Sequence, residues 1–285
     1  IGGEGQAYIG GLGVFLVAIN ISFLPVPIVW LLSIVGAFVF GAAWAFIPAY
    51  LQAKRGSHIV ITTIMFNFIA SSLMVFLLVD VIRDMDQMGP HTVALPKEIW
   101  LPTFKDFAAL FGIQIRYSPL NLSFILAIAA SFFVWFLVWR TKWGYEMRAV
   151  GHNTQAAIYA GISPYKNIII AMLISGGLAG LLSINEILGV HHKIVSGFPA
   201  GYGFTGIAVA LMGRNHPIGI FPAAFLFGIL YQGGSEVTFD MPNITRYMFV
   251  AVQGVIILFS GALENLFRPQ IESFFVRRLN KEIEA

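Results

Sequence analysis

The sequence predicts an all-α, polytopic bundle of transmembrane helices, with about eight spans of roughly 20 apolar residues each. Three observations predict it. Of the 285 residues, 58% are hydrophobic and 11% charged, where a soluble domain carries roughly 25% charge. The mean hydropathy is +0.80. So little charge cannot coat a globule of this size, so a soluble enzyme domain, a disordered chain and a nucleic-acid binder all fit poorly. The 26 Phe and 29 Gly suit helices packing in lipid, where small residues let backbones approach. Cysteine is absent, which excludes a disulfide framework and a thiolate metal site.

The spans follow in order. Residues 3–19 form the first, with one acid, Glu4, near its start. Residues 25–50 and 58–79 are the second and third, 119–139 the fourth and 167–188 the fifth. Residues 217–231 and 244–262 complete the clear ones, and 204–212 is apolar but too short to cross alone. Lys and Arg are retained on the cytoplasmic side. They gather at Lys54 and Arg55, at Arg140, Lys142, Arg148 and Lys166, and at Arg268, Arg277, Arg278 and Lys281. Alternating spans, with 204–212 counted as a crossing, bring these clusters to one side, read as the cytosol. Segment 140–166 is then cytosolic and loop 80–118 faces outward, carrying Asp80, Asp84, Asp86, Glu98 and Asp106. The whole of 1–285 reads as one transmembrane domain. The chain opens on Ile1 and goes directly into a glycine-rich apolar helix. It therefore reads as starting inside a longer protein, with one or two helices upstream.

Enzyme signatures are missing: the sequence holds no P-loop, no HExxH and no GxSxG. His191 and His192 are adjacent, a spacing that does not put both on one helix face, and they read as a wet loop pair. No metal site and no cofactor of this chain's own is expected.

Polar groups at membrane depth are costly and so become functional candidates. Glu4 lies among Gly2, Gly3 and Gly5 and is followed by Gln6. Either it faces a cavity with Gln6 and nearby amides, or it caps its helix at the water interface. Glu186, beside Asn185, faces a vestibule or solvent. Asn67 is mid-span, and its amide needs a partner, either another helix or a ligand. The run from Ser196 to Gly206, with four glycines and Pro199, precedes the half-length apolar run and suggests a broken helix. Tyr202 and Phe204 in it either stack on a flat ligand or pack in the core. This glycine-rich opening loosely repeats the one at Gly2 to Gln6, and duplicated breaks of that kind point to a transporter's binding site. Gly176 and Gly180 form a GxxxG pair for close helix packing.

In the cytosolic stretch, Asn153 is a good N-cap, residues 154–160 give about two turns, Gly161 can end them and Pro164 prevents continuation. Ala156, Ala157 and Tyr159 mark this short helix as a docking surface or as one lying on lipid headgroups.

Taken together these residues resemble the membrane permease subunits of bacterial ABC importers that handle nucleosides, simple sugars and branched-chain amino acids. The resemblance rests on Gly3-Glu4-Gly5-Gln6 and Thr62-Thr63-Ile64-Met65-Phe66-Asn67. It rests equally on Arg148-Ala149-Val150-Gly151-His152-Asn153 with Ala156-Ala157 and Tyr159-Ala160-Gly161, and on Gly201-Tyr202-Gly203-Phe204 with Gly213-Arg214-Asn215-His216-Pro217. The first and last pieces are most similar to the nucleoside-type permeases. Two features depart from the pattern: Ile59 stands where an acid is expected after His58, and Thr205 where the family often has Asp.

The resemblance implies a non-catalytic subunit of the bacterial inner membrane. Glu4, Gln6, Asn67, Glu186, Tyr202, Phe204, Thr205 and Asn215 become candidates for the substrate pathway. Gly151, Asn153, Ala156, Ala157, Tyr159 and Gly161 become candidates for coupling to an ATPase. Implied partners are a second permease chain, identical or different, two cytosolic ATPase subunits carrying ATP and Mg, an extracytoplasmic substrate-binding protein and membrane lipid, with no nucleic-acid polymer. A proton-coupled transporter using Glu4 or Glu186 and an intramembrane enzyme are the competing classes, and the second lacks a recognisable nucleophile–base pair.

Overall fold

The computed structural model describes residues 2–85, 89–105, 112, 120–241, 248–249, 251–256 and 258–259. These form two compact units, Ile1–Gly206 and Ile207–Ala285.

Helix α1 spans Glu4–Asn20. Pro25 and Pro27 open α2, Val26–Arg55, since proline is preorganised for a first turn. Gly56, in the left-handed conformation at φ 64°, ends it. Lys54 and Arg55, beyond the span expected to end at residue 50, are the last turn of α2, where cations meet the negative helix end. Helix α3, Ile59–Phe76, runs into a π-turn at Leu77–Val81. Then come α4 (Ser123–Arg140), α5 (Lys142–His152) and α6 (Thr154–Tyr159). Helix α7, Pro164–Gly180, is prolonged by Leu182–Ile184 and a π-turn at Asn185–Val190. Helices α8 (Tyr202–Met212) and α9 (Pro217–Asp240) close the described order.

Five of these segments are long and apolar enough to cross a membrane: Val26–Arg55, Ile59–Val81, Ser123–Arg140, Pro164–Val190 and Pro217–Phe239. With 17 residues, α1 approaches that length. Helix α8 has 11 residues, about 16 Å at 1.5 Å per residue, and falls well short of a hydrocarbon core of about 30 Å. It is the half-length helix that the apolar run 204–212 announced. Of the span expected at 244–262, residues 248–249, 251–256 and 258–259 are described and are helical, and the rest lies outside the described residues. Helix α4 has no buried residue, and α3 exposes Ile61, Met65, Phe68 and Phe76. Such apolar outer faces are those a lipid solvent accepts.

In the first unit α1 packs against α2, α3 and α7. Glycines let the backbones meet. A Cβ on Gly10 would lie 2.6 Å from the Cα of Gly180, and one on Gly41 would lie 2.5 Å from the Gly176 carbonyl oxygen. A Cβ on Gly180 would strike the carbonyl of Ala37. The GxxxG pair therefore serves the α2–α7 crossing, as small residues do in membrane bundles. Around it lies a core that includes Val14, Phe15, Met74, Leu78, Ile184 and Ile187.

The expected outward loop is partly strapped down. Thr92 N–H donates to the Ile194 carbonyl at 3.1 Å, and Ile194 N–H returns a bond to Thr92 Oγ1 at 3.0 Å. Leu95 N–H reaches the His192 carbonyl at 2.8 Å, Leu101 N–H the Leu188 carbonyl at 2.9 Å, and Trp30 Nε1–H the Ile99 carbonyl at 2.8 Å. Leu95, Ile99 and Leu101 join the core beneath.

The histidine pair is not simply wet. The His192 ring stacks on Trp100 at 3.5 Å and 4°, while His191 Nε2 lies 3.5 Å from Glu186 Oε2. Burial lowers the His192 pKa from its ordinary 6.5, outweighing the Leu188 carbonyl that would raise it. An unfolded strap therefore binds a proton at a higher pH than the docked one does. The stability this contributes is present above pH 6.5 and is lost as pH falls through the lowered value. Protection of the amides over residues 91–101, taken against the intrinsic exchange rate at the same pH, is expected to be weaker at pH 5.5 than at pH 7.5, and His192→Gln should flatten that difference.

In the second unit, Ala208 and Val209 of α8 pack on Ala223 and Phe227 of α9. Gly213 and Gly219 touch backbone to backbone where the two helices turn.

Candidate functional site

The site is built where two glycine-rich turns meet. Gly197, Ala200 and Gly201 all have positive φ, at 74°, 48° and 83°, and turn the chain into α8. There the N–H of Gly201 donates to Glu4 Oε1 and that of Gly203 to Glu4 Oε2, each at 2.8 Å. Glu4 is 8% exposed. Both of its oxygens act as acceptors, the arrangement in which a carboxylate caps a helix N-terminus. A partly buried interaction of this kind contributes up to about 2 kcal/mol. Gly203 has no room for a side chain, because a Cβ would lie 2.7 Å from the Cα of Glu4 and from its Oε2. The two loosely repeated openings are thus physically joined, the acid of the first gripping the amides of the second.

Asn67 of α3 completes the junction. Its Oδ1 accepts the N–H of Gly5 at 2.8 Å, satisfying one of the orphan donors of the first turn of α1. Asn67 is 5% exposed, and its Nδ2 has no hydrogen-bond partner among the described residues. Gln6 is fully buried, with both amide atoms unpartnered among the described residues and its Cγ turned toward Gly176 of α7. Leaving such a buried group unsatisfied costs roughly 1–3 kcal/mol. Phe204 is half-exposed on α8, and Thr205 Oγ1 bonds back to the Gly201 carbonyl at 3.3 Å. Tyr202 is the first residue of α8. Glu4, Asn67 and the turn 201–205 are therefore brought together, with Gln6 adjacent and facing the α7 side.

Glu186 does not join them. Glu186 is 8% exposed, which excludes the solvated position weighed for it. Its Oε1 accepts from Asn185 Nδ2 at 3.0 Å. Asn185 Oδ1 in turn accepts from Asn121 Nδ2 and Ser123 Oγ, both at 2.9 Å. This polar network ties the start of α4 to the end of α7. The sequence reading missed it, because Asn121 and Ser123 are 62 or more residues from Asn185. Asn215, in the second unit, ends α8. Its N–H bonds the Ala210 carbonyl and that of Arg214 bonds Leu211, both residues being left-handed. This is a Schellman closure without glycine. His216 Nδ1 then accepts from Ile218 N–H and caps α9.

The coupling segment forms much as its sequence suggests. Asn153 Oδ1 accepts from the N–H of Gln155 and of Ala156, at 3.0 and 3.1 Å. Gly161 at φ 77° closes α6, with Ile162 N–H on the Ala157 carbonyl and Gly161 N–H on that of Ile158. Gly151, Asn153 and Ala156 are exposed and Tyr159 is 92% exposed, whereas Ala157 is 3% exposed and turned inward. A partner resting on α6 would meet Tyr159 and Ala156 and not Ala157. A further link went unread in the sequence: buried Asn167 of α7 donates to Glu146 of α5 at 3.3 Å, joining the segment to a span. Among the described residues no group of three His, Asp or Glu could hold a metal ion.

Apolar helices of spanning length, with a half-length helix whose first turn is pinned by a buried carboxylate, have the makings of a membrane permease. The chain belongs to the branched-chain amino acid transport system / permease component family, whose model matches residues 1–261. It is 36% identical over 265 residues to the guanosine ABC transporter permease protein NupP of Bacillus subtilis, covering 91% of this chain and 72% of that protein. It is 33% identical over 263 residues to the nucleoside ABC transporter permease protein NupB of Lactococcus lactis subsp. cremoris, covering 88% and 70%. With the glucose ABC transporter permease protein TsgB13 of Haloferax volcanii it shares 32% over 282 residues, covering 98% and 73%. No solved structure matches. The chain is an ABC-transporter permease of this family and a multi-pass membrane protein.

Proposed function

We propose that the chain is the pathway-forming subunit of an ATP-driven importer of nucleosides in the cytoplasmic membrane, working by alternating access. The observation that carries this reading is the similarity to the guanosine and nucleoside permeases across about nine-tenths of the chain. A second permease chain would complete the pathway, two cytosolic ATPase subunits carrying ATP and Mg would dock beneath it, and an extracytoplasmic binding protein would deliver substrate. Closure of the ATPases would move α6, and the Asn167–Glu146 link supports a route from there into α7. Glu4, with both oxygens engaged, would position α8 and leave contact with the substrate to its neighbours.

The test is guanosine uptake into vesicles holding this chain with its ATPase and binding protein. Uptake should require ATP and be abolished by vanadate. Uptake that persists under vanadate and follows a proton gradient would overturn the reading. Tyr159→Ala should lower the guanosine moved per ATP at least tenfold while the complex still assembles, and unchanged stoichiometry would remove α6 from the docking role. A sugar is the second reading, favoured by the similarity to the glucose permease over nearly the whole chain. Glucose uptake without guanosine uptake would establish it.

A further inference from the structure

We propose that Asn67 and Phe204, which meet across Gly2, contact the substrate directly and select a planar ring carrying a hydrogen-bond acceptor. The proposal deepens the nucleoside reading above and rests on it.

Asn67 Oδ1 is committed to the N–H of Gly5, and that bond fixes the amide's orientation, because an N–H cannot donate to an NH2 group. Its Nδ2 is therefore the donor left over, more than nine-tenths buried and without a partner among the described residues. The donor has a defined direction. It lies 2.8 Å from the point a Cβ on Gly2 would occupy, and Cε1 of Phe204 lies 3.6 Å from the same point. Even a Cβ would crowd the amide here, so it is the bare backbone of Gly2 that lets an amide donor and an aromatic edge come to one point. Buried donors in folded proteins are nearly always paired, so the acceptor for this one belongs to a state in which α8 has moved aside and a ligand has entered. Phe204, 46% exposed on α8, has ring surface to offer the same ligand. Glu4 cannot supply the contact, since Gly201 and Gly203 take both its oxygens. A donor beside an aromatic face matches a heterocyclic base with a carbonyl or ring nitrogen, and matches a saturated sugar ring poorly.

The test uses the complete transporter in vesicles, with its ATPase and binding protein and with guanosine as probe. Asn67→Asp keeps an oxygen for the Gly5 N–H but removes the donor. It is expected to raise the half-saturating guanosine concentration at least tenfold. An Asn67 that merely holds α3 to α1 would leave that value unmoved, and an unmoved value overturns the donor contact. Phe204→Leu should cause a similar rise, and wild-type saturation there overturns the stacking contact. A transporter that carries glucose and no guanosine sinks the nucleoside reading itself. The same two variants are then assayed with glucose: a tenfold rise in Asn67→Asp alone keeps the donor, and no change in either ends the proposal.

Discussion

Replacing Gly180 with valine is expected to prevent the first unit from assembling. The side chain would enter the space where α7 meets the Ala37 carbonyl and the Gly41 Cα of α2. Overpacking a core ordinarily costs about 1–3 kcal/mol, when side chains can shift to absorb it. Here the opposing atoms are backbone of α2, which cannot shift as a side chain can, so the cost should exceed that range. Size-exclusion profiles of the purified protein and its thermal unfolding check this. Gly206→Ala on α8 is the control, because a Cβ there meets nothing within 4 Å and alanine gains about 1 kcal/mol over glycine in a helix. A monodisperse Gly180→Val protein melting with the wild type would mean that the α2–α7 crossing is not as described.

Glu4→Gln is the second substitution with a large expected effect. The carboxylate takes N–H donors on both oxygens, and a glutamine amide must turn an NH2 group toward one of them. The substitution removes one charge-assisted hydrogen bond, weakens the other and sets donor against donor. Bonds to charged groups contribute about 1.5–3 kcal/mol, and 1.4 kcal/mol is a factor of ten. Transport should therefore fall at least tenfold while the complex still forms, since the α1, α2 and α7 core does not depend on Glu4. Glu4→Asp, one methylene shorter, should reach at most one of the two amides and fall between. Initial rates of substrate uptake into vesicles measure both, and a wild-type rate in Glu4→Gln would remove Glu4 as the anchor of α8.

Much of the helix pattern was legible in the chain. Helix α6 is bracketed by Asn153 and Gly161, because caps and breakers are local chemistry that acts within a few residues. The half-length α8 was legible for the same reason. Glu4 and Asn67 were legible as polar exceptions in apolar runs, since such groups are rare at membrane depth. Their partners were not. Whether Glu4 capped its own helix or faced a cavity stayed open until the chain brought Gly201 and Gly203 to it across 197 and 199 residues. Glu186 likewise gave no sign of Asn121, nor Ala157 of its inward turn.

The sequence by itself determined that this chain crosses a membrane repeatedly as helices, roughly where those helices lie, and which few polar groups carry interest. Those properties follow from composition and short-range spacing. Only the tertiary structure decided that Glu4 serves α8, that Asn215 ends a helix, and that Asn67 holds one amide hydrogen-bond donor in reserve. Those outcomes depend on which backbones approach closely enough to exchange hydrogen bonds, and glycines such as Gly203 permit that approach only once the distant segment has arrived.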